Sequence, residues 1–155
     1  FLRSSMSEIR ADRVSLQDEF HMIEAYLQVM KVRMAHRLNF ELSLPDDLKS
    51  IEVPSMILLT LAENAIKHGL EPSIAGGKIE IAARAENEDV VLEIKDSGVG
   101  LSDQPGNGLG LKNVRDRLQL MFGEHNRFSI TENVEGGVCA EVRLLGIAKT
   151  LNNKQ

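Results

Sequence analysis

The chain of 155 residues is 43% hydrophobic and 26% charged, which is typical of an ordinary globular domain. A net charge of -5 argues against a nucleic-acid-binding surface, and a single cysteine, Cys139, excludes an intrachain disulfide or a cysteine-rich zinc site. No apolar run reaches the roughly 18 residues of a transmembrane helix, and a reducing, cytoplasmic setting is expected.

The first part of the chain is predicted to be helical. Residues 1–14 are interpreted as the end of a helix that starts upstream of Phe1, in a longer parent protein. Ser15 and Asp18 form a capping-box pattern at the start of a second helix. Its apolar residues recur at alternating steps of four and three: Leu16, Phe20, Ile23, Leu27, Met30 and Met34. This amphipathic helix either covers its own domain, the favoured interpretation, or forms a dimer or interdomain contact.

Alternating apolar residues predict a series of strands, at 38–44, 79–85, 90–96, 128–132 and 138–144. The last two are expected to form a hairpin around Gly136 and Gly137.

Two further helices are predicted between these strands. The first covers residues 55–68, with Pro54 in its first turn and Gly69 as its C-terminal stop. The second covers residues 111–121, where apolar residues recur at helical spacing, and ends at Gly123.

The order of these elements predicts the fold class. Hairpin joins favour a mixed, mostly antiparallel sheet covered on one face by about three helices. A doubly wound parallel sheet would need a helix between those strands. We therefore expect an α/β (α+β) two-layer sandwich, with an N-terminal helical connector at 1–37, one domain at 38–146 and a polar, frayed tail at 147–155.

One carboxylate stands at the end of the strand predicted at 90–96. Val90, Leu92 and Ile94 alternate along one face, and Asp96 continues that face by its two-residue period. A carboxylate on a buried apolar face is costly unless another group hydrogen-bonds to it. A ligand is therefore expected at Asp96.

The helix predicted at 55–68 carries a polar cluster near its end. Asn64 and His68 are four residues apart and share a face, and Glu63 and Lys67 form a second such pair. An exposed ion pair would explain Glu63 and Lys67 as well as a role in a binding site would. Asn64 is a weak helix former whose amide oxygen suits Mg²⁺, so a metal ligand is predicted there.

Two glycine pairs flank the polar loop after Asp96. Gly98 and Gly100 would allow a ligand to approach the backbone closely. Gly108 and Gly110 open a helix, whose free N–H groups favour phosphate oxygens. Neither pair belongs to a Walker A loop or a dinucleotide-binding fingerprint, because the residues that define those motifs do not surround them.

Three motifs, ENAIKHG, DSGVG and GLGLKNVRDRL, occur in an order and spacing that resemble the ATP-binding domain of a known superfamily. That superfamily unites gyrase, the heat-shock chaperone, histidine kinases and MutL. The resemblance is closest to LytS-type sensor histidine kinases of bacterial two-component systems and extends over residues 14–144. It implies a Bergerat-type ATP-binding fold with ATP and Mg²⁺ as ligands.

The same resemblance implies a role for each candidate residue. Asn64 would hold Mg²⁺ at the phosphates, with Glu63, Lys67 and His68 around it. Asp96 would accept a hydrogen bond from the adenine amino group. Gly98 and Gly100 would let the base lie against the backbone, and residues 101–107, beginning with Leu101, would form a short lid over ATP. The residues at the phosphates would be Gly108, Leu109, Gly110 and Leu111.

Two positions depart from the family pattern. Val138 and Cys139 stand nearest to the place of a threonine that usually lies beside the adenine. Leu59 and Thr60 replace a Gln-Pro pair that often precedes the metal-binding asparagine. Both departures are expected to change the affinity for ATP, although neither removes a residue that would contact the adenine or the phosphates.

The resemblance implies the catalytic domain of a sensor histidine kinase, which transfers the γ-phosphoryl group to a histidine. None of the four histidines lies in the Pro-His-Phe context of LytS-type acceptors. The phosphoacceptor and dimerisation helices are therefore expected before Phe1. The parent would be a homodimer at the bacterial cell membrane that signals to a response regulator.

Two alternatives to a kinase are considered. An ATP hydrolase of the gyrase or MutL kind would place a glutamate base one turn before Asn64, where this chain has Thr60. Glu63 is adjacent to Asn64 but points about 100° away from it. The other alternative is an ATP-dependent binding module, such as an anti-sigma-like protein or a degenerate kinase, whose lid only signals occupancy.

Overall fold

A computed structural model of the chain describes residues 12–100 and 107–148, with only the backbone at 107–109. In chain order the elements are β1 (Arg13–Ser15), α1 (Leu16–Met34), β2 (Leu38–Ser43), β3 (Glu52–Pro54), α2 (Ile57–Asn64), β4 (Gly77–Glu86), β5 (Asp89–Asp96), α3 (Asn107–Phe122), β6 (Asn126–Glu132) and β7 (Val138–Leu144). Short 3-10 turns cover Ala35–Arg37 and Asp46–Leu48, and a π-helical turn, Ala65–Leu70, continues α2.

The main sheet has five strands in the order β2-β4-β5-β7-β6. Strand β2 pairs with β4 in parallel, and the other neighbours are antiparallel. Strands β1 and β3 form a separate antiparallel pair. The predicted two-layer α/β sandwich with a mixed, mostly antiparallel sheet is confirmed, and the N-terminal helix α1 is itself one of the covering helices.

The helices and the sheet share one hydrophobic core, and α1 contributes its whole apolar face to it. The buried residues of that face are Leu16, Phe20, Ile23, Leu27, Met30 and Met34. Each such side chain contributes about 1.5–3 kcal/mol by burial, so α1 stabilises the domain that it covers. The favoured interpretation of this helix is therefore confirmed, while the predicted domain boundary at residue 37 stays a prediction.

The N-cap of α1 agrees with the prediction, whereas the residues just before it do not. The Ser15 side chain accepts a hydrogen bond from the Asp18 N–H at 3.1 Å, as the capping pattern predicted. The prediction of helix before Ser15 is wrong for the described residues, because Arg13–Ser15 pairs with Glu52–Pro54 as a strand. Residues 1–11 lie outside the described part of the chain.

The start of α2 also differs from the prediction. Pro54 ends β3 instead of entering the helix, which begins at Ile57 after Met56 with a φ of 67°. The Ser55 N–H donates to the Asp12 carbonyl at 2.6 Å and so extends the pairing of β1 with β3. The partner that holds this segment extended is distant in sequence, so local patterns could not indicate it.

Gly69 does not end the helix as predicted. It lies inside the π-helical turn, which the Glu71 N–H closes by donating to the Ile66 carbonyl at 2.8 Å. A Cβ at Gly69 would stand 2.7 Å from Oδ1 of Asp96, so glycine allows the turn to lie against β5. Short π segments within helices are frequent at functional sites.

The end of the described chain stays attached to the sheet. Ala148 is buried, and its N–H donates to the Glu88 carbonyl in the turn between β4 and β5 at 2.9 Å. The prediction of a frayed tail is therefore wrong for Ala148. Residues 149–155 lie outside the described part of the chain.

Candidate functional site

A cleft opens between the end of α2, the start of α3 and the central strands. The residues that line it are Leu61, Asn64, Ala65, His68, Gly69, Ile94, Asp96, Gly100, Leu111, Ile130, Val138 and Ala140. Most of these side chains are apolar, and a few polar groups converge among them. That combination is typical of a site for a small organic ligand.

Asp96 is the charged group of this cleft. In the described part of the chain it is one of two buried charged side chains, with 5% exposure, and it shares its face of β5 with the buried Ile94, as predicted. Its Oδ1 accepts a hydrogen bond from the Gly98 N–H at 2.9 Å. Burial raises the pKa of Asp96, while hydrogen bonds from the backbone of Gly98 and Val138 oppose that rise.

Glycines allow three segments to meet around Asp96. A Cβ at Gly98 would stand 2.0 Å from the Gly69 carbonyl oxygen, which also accepts the Val99 N–H at 3.0 Å. A Cβ at Gly137, where φ is 88°, would stand 1.9 Å from the Asp96 carbonyl oxygen. Asp96 thus lies between the π-helical turn, which approaches its carboxylate, and the β6–β7 hairpin, which approaches its backbone carbonyl.

The sequence does not reveal what Gly69 and Gly137 do. Local patterns predict a helix end at Gly69, which the structure contradicts, and a hairpin turn at Gly137. Their close approach to Asp96 depends on packing between separate elements. By contrast, the alternation along the strands already places Ile94 and Ala140 on the covered face, and this periodicity could have identified them as lining residues.

The structure brings together some of the predicted site residues. Those that line the cleft are Asn64, His68, Asp96, Gly100 and Leu111. Glu63 and Lys67 are exposed and do not belong to the described lining. Gly98 contacts Asp96 through its N–H.

The remaining predicted residues belong to the segment predicted as a lid or follow it directly. Gly108, Leu109 and Gly110 lie in the first turn of α3, where a Cβ added at Gly110 would meet nothing within 4 Å. Leu101 lies outside the described residues. The functional roles of all these residues stay predictions.

A metal ion held by Asn64 would need further oxygen ligands, because one side chain does not complete its coordination. Within residues 12–100 and 107–148, no group of three or more His, Cys, Asp and Glu side chains is placed to hold a metal ion. Mg²⁺ is commonly bound by one or two protein oxygens together with phosphate oxygens and water. The half-buried amide of Asn64 at the cleft fits that arrangement.

Two of the residues that depart from the family pattern, Val138 and Cys139, have different surroundings. Val138 lines the cleft and places its backbone N–H on Asp96. Cys139 follows it on β7 and is half-buried, and burial raises the pKa of its thiol to about 11. The thiol is therefore neutral near pH 7, and Val138 offers no side-chain hydroxyl to the cleft.

Comparison with known proteins gives a consistent result. The family described as "Histidine kinase-, DNA gyrase B-, and HSP90-like ATPase" matches residues 51–146. Sensor histidine kinase YesM of Bacillus subtilis is 33% identical over 142 residues, which cover 88% of this chain and 25% of the relative. Sensor histidine kinase BtsS of Escherichia coli is 37% identical over 119 residues, or 76% of this chain and 21% of the relative. Sensor protein LytS of Staphylococcus haemolyticus is 27% identical over 136 residues, or 79% of this chain and 23% of the relative.

The chain therefore spans about a quarter of the length of the curated relatives it matches. Among solved structures, the catalytic domain of histidine kinase ThkA aligns with a TM-score of 0.64 at 15% identity, over 86% of this chain and 95% of that chain. Full-length ShkA in complex with AMPPNP aligns with a TM-score of 0.60 at 19% identity, over 85% of this chain and 30% of that chain. These likenesses show a shared fold.

Proposed function

Because the chain belongs to the histidine kinase-, DNA gyrase B- and HSP90-like ATPases, we propose that its cleft binds Mg²⁺-ATP as part of a sensor histidine kinase. The observation that carries this proposal is the buried carboxylate of Asp96, oriented in an apolar cleft by the Gly98 N–H at 2.9 Å. A fixed acceptor in such a pocket suits the exocyclic amine of adenine.

Asp96 would select adenine by hydrogen bonding. An ionised carboxylate offers about four acceptor positions, and the backbone of Gly98 and Val138 uses two of them. Ile94 and Ile130 line the cleft nearby and limit access of water, which strengthens a hydrogen bond made there. Guanine would turn a carbonyl oxygen toward the carboxylate, so the site should reject it.

The phosphates would lie between Asn64 and the start of α3. The first N–H groups of α3, from Asn107 onward, lack acceptors within the helix and carry the positive end of its dipole. Gly108 and Gly110 would let phosphate oxygens approach this turn closely. Mg²⁺ would neutralise the phosphate charge, and the side-chain oxygen of Asn64 would hold it.

A hydrolytic function has less support in this chain. A glutamate one turn before Asn64 would be needed to activate water, and Thr60 stands there with its hydroxyl donating to the Met56 carbonyl at 2.8 Å. A threonine hydroxyl is not a base near neutral pH. We therefore propose phosphoryl transfer, in which positioning and charge neutralisation supply most of the rate enhancement.

We propose that the accepting histidine belongs to the parent protein outside this chain. His68 lines the cleft, while His21, His36 and His125 are exposed. The phosphoacceptor and dimerisation region would be the direct partner, in a homodimeric parent that passes the phosphoryl group to a response regulator. The location of that parent at the bacterial membrane stays a prediction. Among the described residues, no helix combines the length and apolarity needed to cross a bilayer.

Asn64→Ala is expected to remove most of the metal dependence of nucleotide binding. Losing a ligand to a charged group costs about 1.5–3 kcal/mol, so affinity for Mg²⁺-ATP should fall about 10- to 100-fold. Affinity measured in EDTA should change little. Isothermal titration calorimetry with and without Mg²⁺ measures both values.

The matched control is Asn39→Ala, an exposed asparagine on β2 outside the cleft. It should bind Mg²⁺-ATP like the unmodified chain. Equal metal dependence in the unmodified chain and in Asn64→Ala would contradict the role of Asn64. Absence of any adenine-nucleotide binding at millimolar concentration would contradict the proposed function itself.

Phosphoryl transfer is expected only when an acceptor is supplied. The isolated chain, incubated with Mg²⁺ and ATP labelled at the γ-phosphate, should incorporate little acid-labile label. Addition of the phosphoacceptor region of the parent should give label on a histidine. Label on a histidine of the isolated chain would refute the placement of the acceptor, and ATP binding without transfer to the supplied acceptor would favour an ATP-dependent binding module.

A further inference from the structure

The second buried charge of the described chain, Glu19, lies outside the cleft. It belongs to α1 and its exposure is 0%. Its Oε2 accepts the Met56 N–H at 3.0 Å, and its Oε1 accepts the N–H groups of Leu58 and Leu59 at 3.1 and 3.2 Å. These donors belong to the first turn of α2 and the residue before it, so a side chain from another helix caps α2.

The geometry around this cap is built for the carboxylate. Met56 adopts a φ of 67°, which is unfavourable for a residue with a side chain, and no side chain of its own segment caps α2. The bend at Met56 turns its N–H toward Glu19 together with those of Leu58 and Leu59. A buried carboxylate with several N–H donors at the positive end of a helix dipole is strongly held in place.

A cation on α3 adds a link to this cap. Burial raises the pKa of Glu19, while the backbone hydrogen bonds to it and the charge of Arg117 oppose that rise. Nη2 of Arg117 donates to Oδ1 of Asp12 at 3.0 Å. The Asp12 carbonyl in turn accepts the Ser55 N–H at 2.6 Å, just before α2. Residues 12–20, which we call the N-terminal segment, therefore contact both α2 and α3.

The helices held in this way are the two that carry the phosphate side of the candidate site. Asn64 ends α2, roughly 10 Å along the helix axis from Ile57, the first residue of the helix. Leu111, which lines the cleft, belongs to the same helix as Arg117. Asp96, in contrast, lies on β5, where the backbone N–H groups of Gly98 and Val138 donate to it. Neither of these hydrogen bonds involves Glu19.

We propose that Glu19 is a positioning residue that links the N-terminal segment to the phosphate and metal side of the nucleotide site. The proposal rests on the proposed binding of Mg²⁺ and adenine nucleotide. Ordering of the N-terminal segment would favour the placement of Asn64, and bound Mg²⁺-nucleotide would favour the order of that segment by the same factor. The segment that leads into the domain would thereby sense whether the site is occupied.

The test uses Glu19→Gln, which keeps the shape of the side chain. The amide retains one oxygen for Leu58 and Leu59, but its NH₂ group would face the Met56 N–H, donor against donor. We expect affinity for Mg²⁺-ADP to fall roughly 5- to 30-fold, within the usual range of coupling between sites. Adenosine has no phosphates and therefore tests only the Asp96 side, so its affinity should stay within about two-fold of that of the unmodified chain. NMR titration measures the weak binding of adenosine, and calorimetry that of Mg²⁺-ADP.

Two further variants test whether the effect is specific to the contacts of Glu19. Glu24→Gln changes an exposed glutamate of the same helix and should alter neither affinity. Arg117→Gln removes the partly exposed cation and should weaken Mg²⁺-ADP in the same selective way, by a smaller factor. Hydrogen exchange of residues 12–20 should slow on addition of Mg²⁺-ADP in the unmodified chain, and slow much less in Glu19→Gln.

The outcomes separate the two proposals. Unchanged affinity for Mg²⁺-ADP in Glu19→Gln overturns the positioning role. Equal weakening of Mg²⁺-ADP and adenosine binding overturns it as well, because a general loss of stability would affect both ligands. If Glu19→Gln does not fold, the same comparison in Arg117→Gln decides the question. If the unmodified chain binds neither ligand, the proposed function fails and this inference fails with it.

Discussion

Asp96→Asn is expected to weaken the binding of adenine nucleotides by about 10- to 100-fold. A hydrogen bond to a buried charged acceptor is worth about 1.5–3 kcal/mol, which corresponds to that change in dissociation constant. The amide could still accept the Gly98 N–H through its oxygen, but its NH₂ group would then oppose the amine of adenine or the Val138 N–H. Calorimetric titration with ATP and NMR titration with adenosine should show the same loss, because both ligands carry the amine.

Stability should respond to this substitution differently from affinity. Burial raises the pKa of Asp96, so the folded state favours the neutral form relative to the unfolded chain. The contribution of this group to stability is then greatest at low pH and falls as pH rises through the folded-state pKa. The uncharged Asp96→Asn should therefore keep, or slightly increase, the free energy of unfolding at pH 7 while it loses affinity. Acidification should likewise weaken nucleotide binding in the unmodified chain, starting at a higher pH than for an ordinary aspartate.

Asp47→Asn provides the matched control. Asp47 is exposed in the short 3-10 turn after β2, and the same chemical change there should alter neither affinity nor its pH dependence. Full affinity for ATP in Asp96→Asn would contradict the adenine-binding role. A loss of affinity that merely follows a loss of folded protein in thermal or urea unfolding would contradict it as well.

Gly137→Ala is expected to be the most destabilising of these substitutions, by about 2–5 kcal/mol. The added Cβ would stand 1.9 Å from the Asp96 carbonyl oxygen, at a φ of 88°. A left-handed conformation costs a residue with a side chain about 1–2 kcal/mol, and overpacking typically adds about 1–3 kcal/mol. The obstacle is backbone, so no side-chain rotation can relieve the contact. Urea unfolding measures the free energy, and nucleotide affinity should fall because Asp96 is displaced.

The neighbouring glycine separates crowding from backbone conformation. Gly136 has a φ of 102° and nothing within 4 Å of an added Cβ. Gly136→Ala should therefore show only the conformational cost, about 1–2 kcal/mol, and should retain nucleotide binding. Similar destabilisation by the two substitutions would mean that the hairpin does not press against Asp96. The slope of the urea transition should stay constant in both, as a check that unfolding remains two-state.

Local patterns are sufficient wherever the determining interactions are close in sequence. The capping bond between Ser15 and Asp18 spans three residues, and the six apolar positions of α1 follow the period of a helix that covers a core. The two-residue period of β5 likewise predicts that Asp96 lies on its buried face, as it does. The motifs around Asn64, Asp96 and Gly108 also indicate the family correctly.

Tertiary structure decided the features whose partners are distant in sequence. Pro54 belongs to a strand because β1 lies beside it, and α2 starts at Ile57 because Glu19, 37 residues before Met56, takes its first N–H groups. Gly69 and Gly137 look like ordinary stop and turn residues, and only the approach of Asp96 shows why a side chain cannot stand there. Periodicity reports which face of an element is buried, whereas close backbone contacts and buried hydrogen bonds depend on which elements meet. For this chain, the sequence determined most of the elements, the family and the central carboxylate, and the packing of those elements determined how the carboxylate and the two helices beside it are held.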